Sequence, residues 1–133
     1  MNNALNLIGR LLIAALFLPA GLAKFSGFEG TVGYIESVGL PLPAVAAAAA
    51  LAVEILGSVA LIVGFQTRIV AAVLAVFTLV ASIFFHAFWA AAPEQAFVQQ
   101  LLFFKNIGVI GGLLVLVSSG AGAWSIDAKK AAQ

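Results

Sequence analysis

Four apolar segments, each long enough for a helix to cross a bilayer, make up most of this 133-residue chain. They run over about residues 4–23, 44–64, 69–89 and 97–119. A spanning helix needs roughly 20 apolar residues, and its own backbone hydrogen bonds must replace those that water would supply. The pattern therefore predicts an all-α membrane protein, with four transmembrane helices in an up-down bundle and one domain over residues 1–133.

The composition favours a lipid bilayer as the surroundings of this chain. Hydrophobic residues make up 64% and charged residues 8%, whereas an ordinary soluble domain carries about 25% charged residues. The formal net charge is +1 with no basic run, which argues against nucleic acid as a partner. The chain has no cysteine and one histidine, so disulfides, thiolate chemistry and a metal site built by this chain are not expected.

The positions of the cations predict the orientation in the membrane. Lys24 lies in the connection between the first two spans, while four cations share the side of the two termini: Arg10, Arg68, Lys129 and Lys130. Short loops rich in Lys and Arg face the cytoplasm, so we expect both termini to be cytoplasmic. In the tail, residues 124–133, we expect Ser125 to cap a short helix with Asp127 in its first turn.

Glu54 lies near the middle of the second apolar segment, and Arg10, His86 and Lys105 interrupt the other three. Ionisable side chains inside a bilayer usually face a bundle interior or a wet cavity and mark functional sites. From the outer interface we expect His86 about 6 Å deep, Lys105 about 12 Å, Glu54 about 16 Å and Arg10 about 20 Å. These depths predict an outward-open polar site in which Glu54 is held between Lys105 and Arg10, with Asn106 beside it.

Each of these residues also has a purely structural interpretation. Arg10 and Lys105 could extend to the nearest headgroups, and His86 could be an ordinary interfacial side chain. Glu54 is too short and too deep for that, so it must be protonated or paired, although such a pair can be only a brace between helices. We expect Lys24 and Arg68 to lie near the interfaces, with a supporting role at most.

The segment between the first two spans, residues 24–43, is the only long connection. Its apolar residues alternate with glutamates and glycines before Gly39-Leu40-Pro41, which is consistent with a short interfacial helix. Such a helix could cap a cavity, or it could be a connector that rests on the headgroups. Elsewhere, small residues such as the Gly108 and Gly112 pair predict close helix packing.

Taken in order, these features resemble the DoxX family of small bacterial four-helix membrane proteins over nearly the whole chain. The features that carry the resemblance are Arg10, Phe17, Ala20-Gly21 and Lys24, then Gly39-Leu40-Pro41, Glu54 with Gly57, Gly64-Phe65-Gln66-Thr67-Arg68, Phe85-His86, Phe104-Lys105-Asn106-Ile107, Gly111-Gly112-Leu113-Leu114 and the segment from Gly120 to Asp127. The resemblance implies a bacterial cytoplasmic (inner) membrane and an association with membrane redox systems, including quinone-linked complexes. It supplies no agreed catalytic residue.

Three functions remain open at this point. The first is a quinone-linked redox accessory subunit, with Lys105, His86 and Asn106 as hydrogen-bond donors to the quinone and a partner protein that supplies the electrons. The second is a proton-coupled transporter of a small or acidic solute, in which Glu54 exchanges the proton. The third is a non-catalytic scaffold whose small-residue faces dock partner helices or further copies of the chain in a homo-oligomer.

Overall fold

The protein is described by a computed structural model over residues 2–133. It consists of six α-helices and one short 3₁₀ turn. The helices are α1 (Asn3–Ser26), α2 (Phe28–Ser37), α3 (Pro43–Val63), α4 (Thr67–Phe85), α5 (Pro93–Ser119) and α6 (Ile126–Ala131), and the 3₁₀ turn is Phe88–Ala90. Four of them, α1, α3, α4 and α5, are long and apolar enough to cross a membrane, which confirms the predicted fold class.

The ends of the helices follow from local chemistry. The Asn2 side chain accepts the N–H of Leu5 at 3.1 Å and caps α1, while a proline at the first position starts both α3 and α5. The third span extends over Thr67–Ala90, but its α-helix stops at Phe85, where His86 leaves helical geometry, and the 3₁₀ turn completes it. Ser125 accepts the N–H of Ala128 at 3.1 Å, which confirms it as the cap of α6.

The spanning helices pack as two antiparallel hairpins, α1 with α3 and α4 with α5, which meet where α3 contacts α4. A buried apolar cluster lies at the centre of the bundle, formed by Phe17, Leu61, Ala71, Leu74, Ala75, Leu113 and Leu116. Most other large apolar side chains are exposed on the outside of the bundle. In hydrocarbon such a surface carries no penalty, because lipid tails are as apolar as leucine.

Small residues allow close contact at some helix crossings and not at others. A Cβ added to Gly57 would lie 3.1 Å from a methyl group of Leu74, so α3 and α4 approach closely there. Gly108 and Gly112, by contrast, have no neighbour within 4 Å. The predicted close packing of this pair therefore does not occur within the chain, and both glycines lie on an exposed stripe of α5.

The connection between the first two spans contains the expected short helix, α2. Its Ile35 is buried, and its Tyr34 ring stacks on Phe85 at the end of α4, with centroids 5.1 Å apart. Thr31, Tyr34 and Ile35 also line the main cavity of the bundle. Of the two expectations for this segment, a cap over a cavity describes the structure, and a mere connector does not.

Candidate functional site: a polar cavity closed by the second helix

Glu54 forms an ion pair with Lys24, whose Nζ lies 2.7 Å from Oε1 of the carboxylate. The Glu54 residue is only 3% exposed, so the carboxylate has the nearby cation that its position requires. The expected partners were Lys105 and Arg10, with Lys24 only a supporting residue near the interface. In the structure Lys24 belongs to the last turn of α1 and is the cation that contacts Glu54.

The register of α1 against α3 explains this difference. Gly21 packs directly on α3, because a Cβ added there would lie 2.7 Å from Ile55 and 3.0 Å from Cβ of Glu54. From this level α3 continues for eleven residues to Pro43, but α1 for only five residues to Ser26. At 1.5 Å per residue, α1 ends about 9 Å short of the outer end of α3. Lys24 therefore lies close to the depth of Glu54, and α2 covers the end of α1.

The ion pair lines a cavity of about 720 Å³ that lies between α1, α2, α3, α4 and α5 and is partly open. Its walls are mostly apolar, with the alanines of α1 and α3 on one side and Phe77 and Phe85 of α4 on the other. The polar groups are few, and they are contributed by five helices or their ends: Lys24, Thr31, Tyr34, Glu54, Thr78, His86, Lys105 and Asn106. Apolar walls with a few convergent polar groups are typical of a small-molecule site.

His86 lies at the cavity rim, where α4 ends. Its Nδ1 is 2.9 Å from Oε1 of Gln99 on α5. This hydrogen bond links the end of α4 to α5 across the rim. An aromatic cluster begins just after His86 in the chain. It consists of Phe88 and Trp89 of the 3₁₀ turn and Phe103 and Phe104 of α5, and the centroids of contacting rings are 5.2–5.8 Å apart.

Asn106 belongs to a buried chain of hydrogen bonds. Its Nδ2 donates to Oγ of Ser82 at 3.0 Å, Ser82 donates to the carbonyl of Thr78 at 2.7 Å, and Thr78 donates to the carbonyl of Leu74 at 2.7 Å. This chain joins α5 to α4 and fixes the orientation of the Asn106 amide. Asn106 can offer its second N–H and its carbonyl to the cavity, since only one donor is used in this chain.

Lys105 also lines the cavity, although it is exposed. Among residues 2–133 it forms no ion pair. Because Lys24 neutralises Glu54, Lys105 is the uncompensated charge of this site. A cavity of this kind favours a ligand with a negative or electron-rich head and disfavours a cation.

Arg10 lies apart from this cavity, at the end of the bundle where the two termini meet. It is 0% exposed, and its guanidinium donates to the carbonyls of Leu61 at 2.8 Å and Trp124 at 2.6 Å and to Oδ1 of Asn6 at 3.0 Å. The expectation that Arg10 holds Glu54 from below is wrong, because the guanidinium binds other partners at the opposite end of the bundle. Arg10 instead closes the C-terminal end of α3 against the segment between α5 and α6.

Arg68 and Asp127 complete this termini-side network. Arg68 donates to the carbonyls of Val117, at 2.7 Å, and Ser118 at the end of α5. Asp127 accepts the free N–H groups of Gln66 and Thr67 at 2.7 and 2.9 Å. Burial alone would raise the pKa of Asp127, but its hydrogen bonds with Gln66 and Thr67, together with the charge of Lys130, hold the pKa below its ordinary value.

Sequence reasoning placed Asp127 only in the first turn of α6 and missed its second task, the cap of α4. A sequence signal for this role exists. The Gln66 side chain forms no capping hydrogen bond, and α4 begins at Thr67, three residues after Gly64, where a backbone φ of +72° turns the chain. A helix that starts without a local cap needs an acceptor from elsewhere.

Residues 2–133 contain no group of three His, Cys, Asp or Glu side chains that could hold a metal ion. The residues predicted for one site lie in two separate places. Glu54, Lys24, His86, Lys105 and Asn106 share the cavity, while Arg10 and Arg68 brace the opposite end of the bundle.

Comparison with known proteins identifies relatives of this chain. The DoxX family model matches residues 5–87. Inner membrane protein YqjF of Escherichia coli is 39% identical over 124 residues, which cover 91% of this chain and 88% of the relative. Inner membrane protein YphA of the same organism is 33% identical over 121 residues, which cover 91% of this chain and 86% of the relative. CatD of Bacillus subtilis, which bears a provisional oxidoreductase name, is 38% identical over 77 residues, 58% of this chain and 55% of the relative.

No solved structure matches the chain significantly. The family model covers more than half of the residues, and the two inner membrane relatives align over nearly the full length of each chain. The chain is therefore an integral membrane protein that belongs to the DoxX family.

Proposed function

We propose that this chain is a quinone-binding accessory subunit of a membrane redox system, and that the quinone head binds in the cavity beside Lys105, His86 and Asn106. The observation that carries this proposal is the cavity itself, since it combines about 720 Å³ of mostly apolar space with a few polar groups at its wall. That combination suits a flat apolar ring with carbonyl oxygens at its edge.

The charges of the cavity support the same class of ligand. When bound, a quinone accepts electrons and its carbonyl oxygens gain negative charge. Lys105 brings an uncompensated cation and Asn106 a fixed amide donor to that charge. His86 adds a second hydrogen-bonding side chain at the rim. The Lys24–Glu54 pair keeps the inner part of the cavity neutral overall.

The chain has no cysteine, so turnover requires a redox partner protein or a bound cofactor. The oxidoreductase name of CatD agrees with such a role. We further propose that the protein resides, as one transmembrane domain, in the bacterial cytoplasmic membrane with both termini inside. The names of the two Escherichia coli relatives and the distribution of cations support this placement.

Binding of a short-tailed ubiquinone analogue to the purified protein in nanodiscs tests the proposal. Two hydrogen bonds, one of them charged, are worth together about 2–4 kcal/mol, so His86→Ala/Lys105→Met should weaken binding by about 30-fold or more. Lys129→Gln removes an exposed cation outside the cavity and should leave the affinity unchanged. Equal affinities of wild type and the double variant would refute the site.

Each of the two rival functions predicts a different experimental result. Uptake of an acidic solute into proteoliposomes that is driven by a pH gradient and lost in Glu54→Gln would identify a transporter. Full cellular function of the His86→Ala/Lys105→Met variant, together with capture of one stoichiometric partner, would identify a scaffold.

A further inference from the structure

A second hollow lies on the outside of the bundle, between α3 and α4, and nothing in the proposed function uses it. This α3–α4 groove is lined by residues 52–63 of α3 and 69–74 of α4, and its volume is about 610 Å³. Gly57 and the fully buried Leu74 form its floor. Every residue of its lining is apolar, and Phe65 and Ile126 close its termini-side end.

The length of the groove matches one leaflet of a bilayer. From residue 52 to residue 63 a helix rises about 16 Å, and half of a hydrocarbon core is about 15 Å. A transmembrane helix of another protein would need a groove along the whole 30 Å or so of the core. One lipid acyl chain is therefore a better fit to this surface than a partner helix.

The termini-side end of the groove carries positive charge. Nζ of Lys130 lies 4.7 Å from the centre of the Phe65 ring, and Phe65 belongs to the groove. Lys129 adds a second exposed ammonium on the same short helix. The carboxylate of Asp127 is occupied by the N–H groups of Gln66 and Thr67, so it neutralises these lysines only in part.

We propose that the α3–α4 groove binds an acyl chain of an anionic phospholipid, with the lipid phosphate held by Lys130 and Lys129. An acyl chain that lies against the groove brings its headgroup to the leaflet surface, which is where α6 carries the two lysines. Basic side chains at such a surface attract anionic headgroups, with a gain of about fivefold in affinity for each. The site is independent of the cavity that contains Glu54.

The test is native mass spectrometry of the delipidated protein in a mild detergent, titrated with phosphatidylglycerol or phosphatidylcholine of identical acyl chains. The wild type should bind phosphatidylglycerol at least about tenfold more tightly. Lys129→Gln/Lys130→Gln should abolish that preference, while Lys129→Arg/Lys130→Arg should retain it. These side chains are exposed, so folding is not at risk in either variant.

A second pair of variants tests the apolar part of the groove. Val73→Trp fills the groove at a residue that is 47% exposed and should weaken binding of both lipids by about tenfold. Val76→Trp, on the same helix at 63% exposure and outside the groove, should not. Equal affinity of the wild type for the two lipids, a preference that survives the glutamine variant, or a protein dimer that Val73→Trp alone disrupts would overturn the proposal.

Discussion

Replacement of Lys24 by methionine removes the cation from a carboxylate that is only 3% exposed. Loss of one partner from a buried ion pair costs about 3–5 kcal/mol, because the other charge stays buried and uncompensated. The Lys24 side chain is 31% exposed, so part of its field is already screened. We therefore expect Lys24→Met to lower the free energy of unfolding by about 3 kcal/mol, the lower end of this range.

A double-mutant cycle isolates the pair. Glu54→Met should cost less, about 1 kcal/mol, since Lys24 can then extend towards the outer interface. Lys24→Met/Glu54→Met replaces both charges by apolar groups and should be nearly neutral, within about 1 kcal/mol of the wild type. The coupling energy expected from these values is about 4 kcal/mol, far above the additivity error of about 0.5 kcal/mol.

Unfolding in mixed micelles of a mild detergent and dodecyl sulfate, followed by circular dichroism at neutral pH, measures these free energies. Lys105→Met combined with Glu54→Met is the matched control, because it removes another cavity lysine that forms no ion pair. Its coupling energy should stay below about 0.5 kcal/mol. A Lys24 coupling below about 1 kcal/mol, or an equal coupling for Lys105, would refute the pairing and the helix register on which it rests.

Three further predictions concern the termini-side network. Asp127→Asn should lower stability by about 1 kcal/mol, because an amide keeps only one of the two accepting oxygens and loses the charge at the start of α4. Because its pKa is lowered in the fold, this contribution is present above the ordinary aspartate pKa of about 3.9 and fades as the pH falls through the folded value. Thermal unfolding of both proteins at neutral and acidic pH checks the difference. Gly64→Ala places a Cβ 2.3 Å from Cβ of Ser125 at a φ of +72° and should lower the free energy of unfolding by more than about 2 kcal/mol. Gly108→Ala, with open space around it, should be neutral or stabilising by up to about 1 kcal/mol. Equal effects of the two variants in the micelle assay would contradict this. Arg10→Met should destabilise by about 3 kcal/mol or more, since charged hydrogen bonds to two segments are lost, and Arg10→Lys should restore only part of it because lysine lacks the planar fork; full rescue by lysine would be the contrary result.

Several features of the fold are predictable from the sequence because their causes are local. Apolar runs of bilayer length predict the four spans, Pro43 and Pro93 mark the starts of α3 and α5, and Ser125 marks the start of α6. The same holds for the short helix before Pro43. Each depends on hydrophobicity or backbone chemistry within a few residues, and neighbouring helices do not change the outcome.

The candidate site is only partly predictable in this way. Helical spacing and depth predict that Glu54, His86 and Lys105 share one site, and all three line the same cavity, because an ionisable residue in a span has few other places to go. The assignment of Arg10 to the same group fails. The predicted depths assume that all spans reach the outer interface at the same level, but α1 ends about 9 Å short of the outer end of α3.

What the sequence determines by itself is that this chain enters a membrane as four helices and that the carboxyl of Glu54 must be protonated or paired with a cation, because hydrocarbon tolerates neither free backbone groups nor a lone anion. Which cation fulfils that need is decided by the tertiary structure. Gly21 allows α1 to approach α3 at one particular level, and that contact brings Lys24 to Glu54 and leaves Arg10 to bind backbone carbonyls at the far end. Helix register depends on steric fit between residues distant in the chain, and no local pattern records it.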